Sequence, residues 1–155
     1  MLKWFSKKKE QESELLNFAV LKTDIHSHFI PGIDDGSPDM ETTIALIEKM
    51  QDLGFEKIIT SPHVMSDFYQ NSSEIILQGL ADVRRELKVK NINIEIDAVA
   101  EYYIDYEFEQ KIGKETFLTF GDNYILVELS FIQAPINIFD IIFKLQLEGY
   151  KVVLA

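Results

Sequence analysis

The sequence predicts an α/β fold, and three observations carry that prediction. Apolar periodicity switches repeatedly between two residues and about 3.6, the pattern of alternating strands and helices rather than segregated blocks. Glycines and a Ser-Pro pair punctuate the helical stretches where helices stop and start. Of the 155 residues, 46% are apolar and 12% aromatic, enough to bury one sizeable core.

Element by element, a first strand is predicted at about 20–28 and a helix at about 38–53. In that helix Met40, Ile44, Ile47, Met50 and Leu53 form one stripe, Ser37-Pro38 supplies the N-cap and first helical position, and Gly54 stops it. A second strand follows at 57–61 and a second helix at about 73–89, with Ile76, Leu80, Val83 and Leu87 on one face. The pattern repeats with a strand at 93–101, a short helical turn near 105–112, a strand at 124–130 and a helix near 137–148 that Gly149 ends. Lys151 to Ala155 begin another β-branched run. One domain, residues 20–155, is expected behind an N-terminal tail of residues 1–19.

Composition excludes several function classes. The balance of 26 acidic against 15 basic side chains gives a formal charge of −11, which repels nucleic acid. With no cysteine, disulfides, thiolate metal sites and cysteine-nucleophile catalysis are ruled out. No apolar segment of about 7–15 residues follows Met1, so neither secretion nor membrane spanning is expected, and the cytoplasm is the expected location. The Trp4, Phe5, Lys7, Lys8, Lys9 cluster reads as a solvated tail, with contact to an anionic membrane surface as the alternative.

The chemistry-bearing residues gather at strand ends. In Asp24-Ile25-His26-Ser27-His28, alternate residues of a strand share a face, so His26 and His28 aim at one point with Asp24 placed to orient them. Two converging imidazoles are half of a transition-metal site. Taken alone, they read equally well as two structural histidines. The chain has only three histidines, however, and His63 ends the second strand, on the edge where α/β folds build their sites. Glu101 and Glu128 each sit in an apolar strand, where a charge is costly unless a cation neutralises it; the competing reading is an edge glutamate facing solvent. Asp34-Asp35-Gly36 reads as turn chemistry that shapes the loop above the site.

In order and spacing, Asp24-Ile25-His26-Ser27-His28, Pro31-Gly32-Ile33-Asp34-Asp35-Gly36, Ser61-Pro62-His63 and Ala100-Glu101-Tyr102-Tyr103 resemble the metal-dependent bacterial tyrosine phosphatases of the PHP superfamily, which control capsular and exopolysaccharide synthesis. The resemblance runs from about residue 20 to the end. It implies a distorted (β/α)7 barrel, of which this chain supplies the N-terminal portion of about five strands. It also implies two or three divalent ions, manganese foremost, with iron, zinc or magnesium as alternatives. His26 and His28 then resemble ligands of a first ion, Glu101 a bridge between two, Glu128 a ligand of the second and His63 a ligand of a third.

Family members continue to a histidine followed closely by an arginine and later to an Asp-X-His; neither is in this sequence, so an incomplete site is expected. The activity implied is hydrolysis of a phosphate monoester, with phosphotyrosine on a bacterial tyrosine kinase as the substrate and self-association into a homo-oligomer in view. The alternatives are a small-molecule phosphatase of the histidinol-phosphate type and a catalytically incomplete fragment acting as a binding module.

Overall fold

All ladders between the strands of the described residues are parallel. The structure, a computed structural model, describes residues 18–155, so the expected tail lies outside it apart from Phe18 and Ala19. In chain order the elements are β1 (Thr23–Asp24), α1 (Met40–Asp52), β2 (Lys57–Thr60), β3 (His63–Val64), α2 (Ser73–Val89), β4 (Glu95–Ala98), β5 (Glu101–Tyr103), α3 (Tyr106–Lys111), β6 (Tyr124–Glu128), α4 (Ile138–Leu147) and β7 (Lys151–Leu154). They form two sheets, β1-β2-β4 and β3-β5-β6-β7.

The strand predicted at 93–101 is split into β4 and β5, and the one predicted at 57–61 stops at Thr60 with a further strand, β3, beginning at His63; the cause is local. Pro62 has no N–H to donate, so the ladder of β2 cannot run unbroken to His63. The neighbouring strand breaks beside it, between Ala98 and Glu101. Pairing survives the break, because Val99 N donates to Thr60 O at 2.9 Å and Glu101 N to Pro62 O at 3.0 Å. The two sheets are therefore halves of the same succession of strands, interrupted at Ser61-Pro62 and Val99-Ala100.

The first strand is shorter than predicted, ending at Asp24. Beyond it the chain is held by side-chain bonds: Thr60 Oγ1 donates to Ser27 O and accepts from Phe29 N, both at 2.8 Å. The first helix starts later than predicted. Asp39, not Ser37, is its N-cap, accepting from Thr42 N at 2.8 Å. Ser37 is buried instead, donating to Asp39 O and accepting from Thr43 Oγ1.

The helices cover the sheets with apolar stripes. All four predicted α2 residues, Ile76, Leu80, Val83 and Leu87, are buried, and α2 packs on both β4 and α1. Each contributes about 1.5–3 kcal/mol of burial. Ile30 reaches this core from the loop after His28 and is fully buried. A Cβ on Gly79 of α2 would come within 2.3 Å of Ile30 Cγ2, so the helix meets that loop at a glycine. The site-bearing loop is thereby seated on the core. No helix of the described residues is long and apolar enough to cross a membrane.

Candidate metal centre

Three imidazoles converge on one carboxylate oxygen just past the carboxyl ends of β1, β2 and β4. Glu101 Oε2 lies 3.2 Å from His26 Nε2, 3.1 Å from His28 Nε2 and 3.4 Å from His63 Nδ1. The register explains half of this, because His63 of β3 and Glu101 of β5 are direct partners in the ladder. The other half comes from the loop after β1, which carries His26 and His28 across from a chain position more than 70 residues away.

Glu101 is almost fully enclosed, its side chain 3% exposed. Burial by itself would raise its pKa, but the hydrogen bond from His28 and the neighbouring His26 and His63 outweigh it and hold the carboxyl below its ordinary value. An ionised carboxylate at this depth needs positive charge around it.

His28 is fixed from both sides. Its Nδ1 donates to Asp34 Oδ2 at 2.9 Å, which leaves Nε2 facing Glu101. A lone pair on Nε2 would oppose that oxygen, so a proton or another cation must lie between them. Burial would lower the His28 pKa, yet Asp34 and Glu101 raise it to about 9. Asp34 also accepts from Gly36 N and His63 N, both at 3.0 Å, and is held below the ordinary aspartate value despite burial.

Two assignments from sequence change here. The carboxylate that orients His28 is Asp34 and not Asp24, whose Oδ2 is buried without a hydrogen-bond partner among the described residues. The reason is that β1 ends at Asp24, so the strand-face relation that placed Asp24 behind the histidines does not extend to them. Asp35 does more than shape a loop, since its Oδ1 stands 3.8 Å from His28 Nδ1 and 3.6 Å from His63 Nε2. Gly36 completes the motif by close approach. A Cβ there would fall 2.3 Å from His28 Cβ and 2.5 Å from His28 O, closer than any side chain allows.

These side chains form three overlapping groups able to hold a divalent ion: His26, His28 and Glu101; His63, Glu101 and Glu128; and His28, Asp35 and His63. Within each, one ligand atom per residue lies within 4.8 Å of the others. The donors are imidazole nitrogens and carboxylate oxygens, which suit manganese, iron or zinc. His63 gives the sharpest fit. Its Nδ1 is buried, stands 3.4 Å from Glu101 Oε2 and 3.5 Å from Glu128 Oε2, and hydrogen-bonds to neither. A nitrogen placed between two carboxylates without bonding to them is suited to sharing a cation with them.

Sequence reasoning missed two residues at this centre. Asn71 donates from its amide to His63 O at 2.8 Å and to Ile33 O at 3.0 Å, tying both loops of the centre together. Tyr69 stacks on His63 with ring centroids 5.5 Å apart and planes 10° from parallel. The available signal was an aromatic pair, Phe68-Tyr69, in a polar turn between a strand end and the N-cap Ser72. A cavity of about 640 Å³ adjoins this turn, among Ser66, Asn71, Ser73, Tyr102 and Asp105, and none of the candidate ligands lines it.

With this geometry in view, comparison with known proteins is specific. The chain is 30% identical over 133 residues to the tyrosine-protein phosphatase YwqE of Bacillus subtilis, covering 85% of this chain and 52% of that protein. It is 29% identical over 108 residues to the tyrosine-protein phosphatase CpsB of Streptococcus pneumoniae, covering 69% and 44%. Among solved structures it matches one from the work on YwqE and CpsB, described as unique metal-dependent tyrosine phosphatases. The TM-score is 0.78 at 29% identity, over 85% of this chain and 54% of that one. The chain spans about half the length of these relatives. The family model for capsular polysaccharide synthesis, CpsB/CapC, matches residues 22–155, and the chain belongs to that family.

Proposed function

We propose that this chain forms the divalent-metal centre of a protein-tyrosine phosphatase acting on a bacterial tyrosine kinase of polysaccharide synthesis, with manganese as the resident ion. In this reading the strands are the first ranks of a PHP-type (β/α)7 barrel. The observation that carries it is the convergence of His26, His28 and His63 on Glu101 Oε2. One carboxylate oxygen has two lone pairs and cannot satisfy three imidazole donors, whereas a carboxylate shared between cations is well served by such a ring of nitrogens. Relatives named as tyrosine-protein phosphatases support the substrate class.

His26, His28 and Glu101 would hold one ion, His63, Glu101 and Glu128 a second, and Asp35 with His28 and His63 a third. Divalent ions so held lower the pKa of water and neutralise charge on a phosphoryl group. The chain's own residues keep the ligand atoms at fixed separations: Asp34 sets the His28 ring, Asn71 and Asp34 set the His63 backbone, and Glu101 is enclosed by its strand neighbours. Fixed separations matter because misplacing a reacting group by ~1 Å costs about 100-fold in rate.

The test is manganese-dependent hydrolysis of a phosphotyrosine peptide by the full chain, beside histidinol phosphate, in the natural sequence and in Glu101→Gln. Release of phosphate from the peptide alone, abolished by Glu101→Gln, is expected. Faster turnover of histidinol phosphate would move the reading to a small-molecule phosphatase, turnover of neither ester with manganese still bound would move it to the incomplete binding module, and activity surviving Glu101→Gln would remove the centre described here.

A further inference from the structure

The turn after β3 is a rigid aromatic projection beside the candidate centre. Met65 N donates to Tyr69 O at 2.9 Å and Tyr69 N to Met65 O at 3.1 Å, which closes the turn on itself. Ser66 anchors it on one side, giving its N–H and its hydroxyl to Asp105 Oδ2 at 3.0 and 2.7 Å. Asn71 anchors the other side through His63 O and Ile33 O. Tyr69 lies flat on His63, while His28 meets the same imidazole edge-on with centroids 4.6 Å apart. Phe68, next to it at the tip, is 74% exposed. Phe68 offers no donor atom to a metal ion and gains nothing from core burial where it stands.

An aryl phosphate places its ring one ester oxygen from phosphorus. His63 belongs to two of the three candidate ligand groups, so a phosphoryl group held by them has its ring about one ester link from the groups that border that imidazole, Tyr69 among them. Rings prefer offset-stacked or edge-on contact with other rings, and a preformed pair loses little freedom in making that contact. We propose that Tyr69, with Phe68 beside it, receives the aromatic ring of the ester, so that the Met65–Tyr69 turn selects aryl over alkyl phosphates. This rests on the phosphatase reading above and names the element that recognises its substrate class.

The probes are benzylphosphonate and ethylphosphonate, in which a methylene stands in the place of the ester oxygen, so that both resist hydrolysis and one carries a ring where the other carries a methyl group. Their dissociation constants are measured by calorimetry on the manganese-loaded full chain, with manganese content determined for every variant. The natural sequence is expected to favour benzylphosphonate by roughly 2- to 10-fold more than burial of the ring alone gives, from the worth of an aromatic pair. Tyr69→Ala and Phe68→Ala should each reduce that preference, and Tyr69→Phe should keep it with unchanged manganese content. If Tyr69→Ala also loses manganese, Phe68→Ala carries the comparison. A preference that survives both alanine variants overturns the proposal, as does equal binding of the two probes by the natural sequence; both leave the phosphatase reading standing. Binding of neither phosphonate overturns both readings.

Discussion

Glu101 touches all three histidines, whereas among them Glu128 stands near His63 alone. Glu101→Gln is therefore expected to lower manganese content and phosphatase rate far more than Glu128→Gln, measured by elemental analysis and initial rates at saturating manganese; a more damaged Glu128→Gln would reverse the assignment. Gly36 is as demanding in a different way. Alanine there would collide with the backbone oxygen of His28, which has no freedom to give, so Gly36→Ala should lose the ion while circular dichroism shows α1 and α2 intact. His28 also sets a pH dependence for the metal-free protein. Its folded pKa of about 9 lies above the ordinary 6.5, so its contribution to stability is fully present below pH 6.5 and is lost as the pH rises through about 9. With chelator present, the melting temperature should fall between pH 6.5 and 9, and His28→Asn should flatten that fall. A metal ion replaces the same proton, so affinity for manganese should rise over the same interval.

At the scale of elements, the N-cap of α3 links helix formation to the centre. Asp105 Oδ1 accepts from Phe108 N at 2.8 Å, and its other oxygen holds Ser66 at the base of the aromatic turn. Asp105→Ala removes a cap worth about 1 kcal/mol and leaves the Ser66 donors unpaired at a further ~1 kcal/mol. Chemical denaturation should show a loss on the order of 2 kcal/mol, with Asp105→Asn retaining the cap and most of the stability. Helices were legible in the sequence because their signals are local: α2 spans residues 73–89 as its stripe predicts, with Ser72 accepting from Ile75 N. Strands were less so. Nothing in the run 93–101 announces the break before Glu101, which is imposed from outside by Pro62 on the neighbouring strand.

Over the whole molecule, the centre joins segments that the sheets, the core and the side-chain bonds of Thr60, Asp34 and Asn71 hold near one another. Ion binding to the folded state alone stabilises it by about 2.7 kcal/mol at a concentration 100 times the dissociation constant. Titrating manganese into chelated protein should raise the melting temperature by several degrees or more, and the rise should vanish in Glu101→Gln. An unchanged melting temperature in the natural sequence would show that the groups at the strand ends do not share an ion.

Much of this protein was decided by sequence alone. Alternating periodicities set the α/β class, the apolar stripes set which helix faces are buried, and three histidines and two strand glutamates mark the chemistry. These features depend on residues within a turn or two of one another. The tertiary structure decided which groups meet. It made Glu101 the common partner of imidazoles up to 75 residues away, gave His28 to Asp34 instead of Asp24, brought Asp35 within reach of two histidines and laid Tyr69 on His63. Each of these follows from strand register, from a strand that ends at Asp24, or from a loop path fixed by Thr60, Gly36 and Asn71. Such relations arise only when distant segments are packed, because no local spacing encodes the distance between two strand ends.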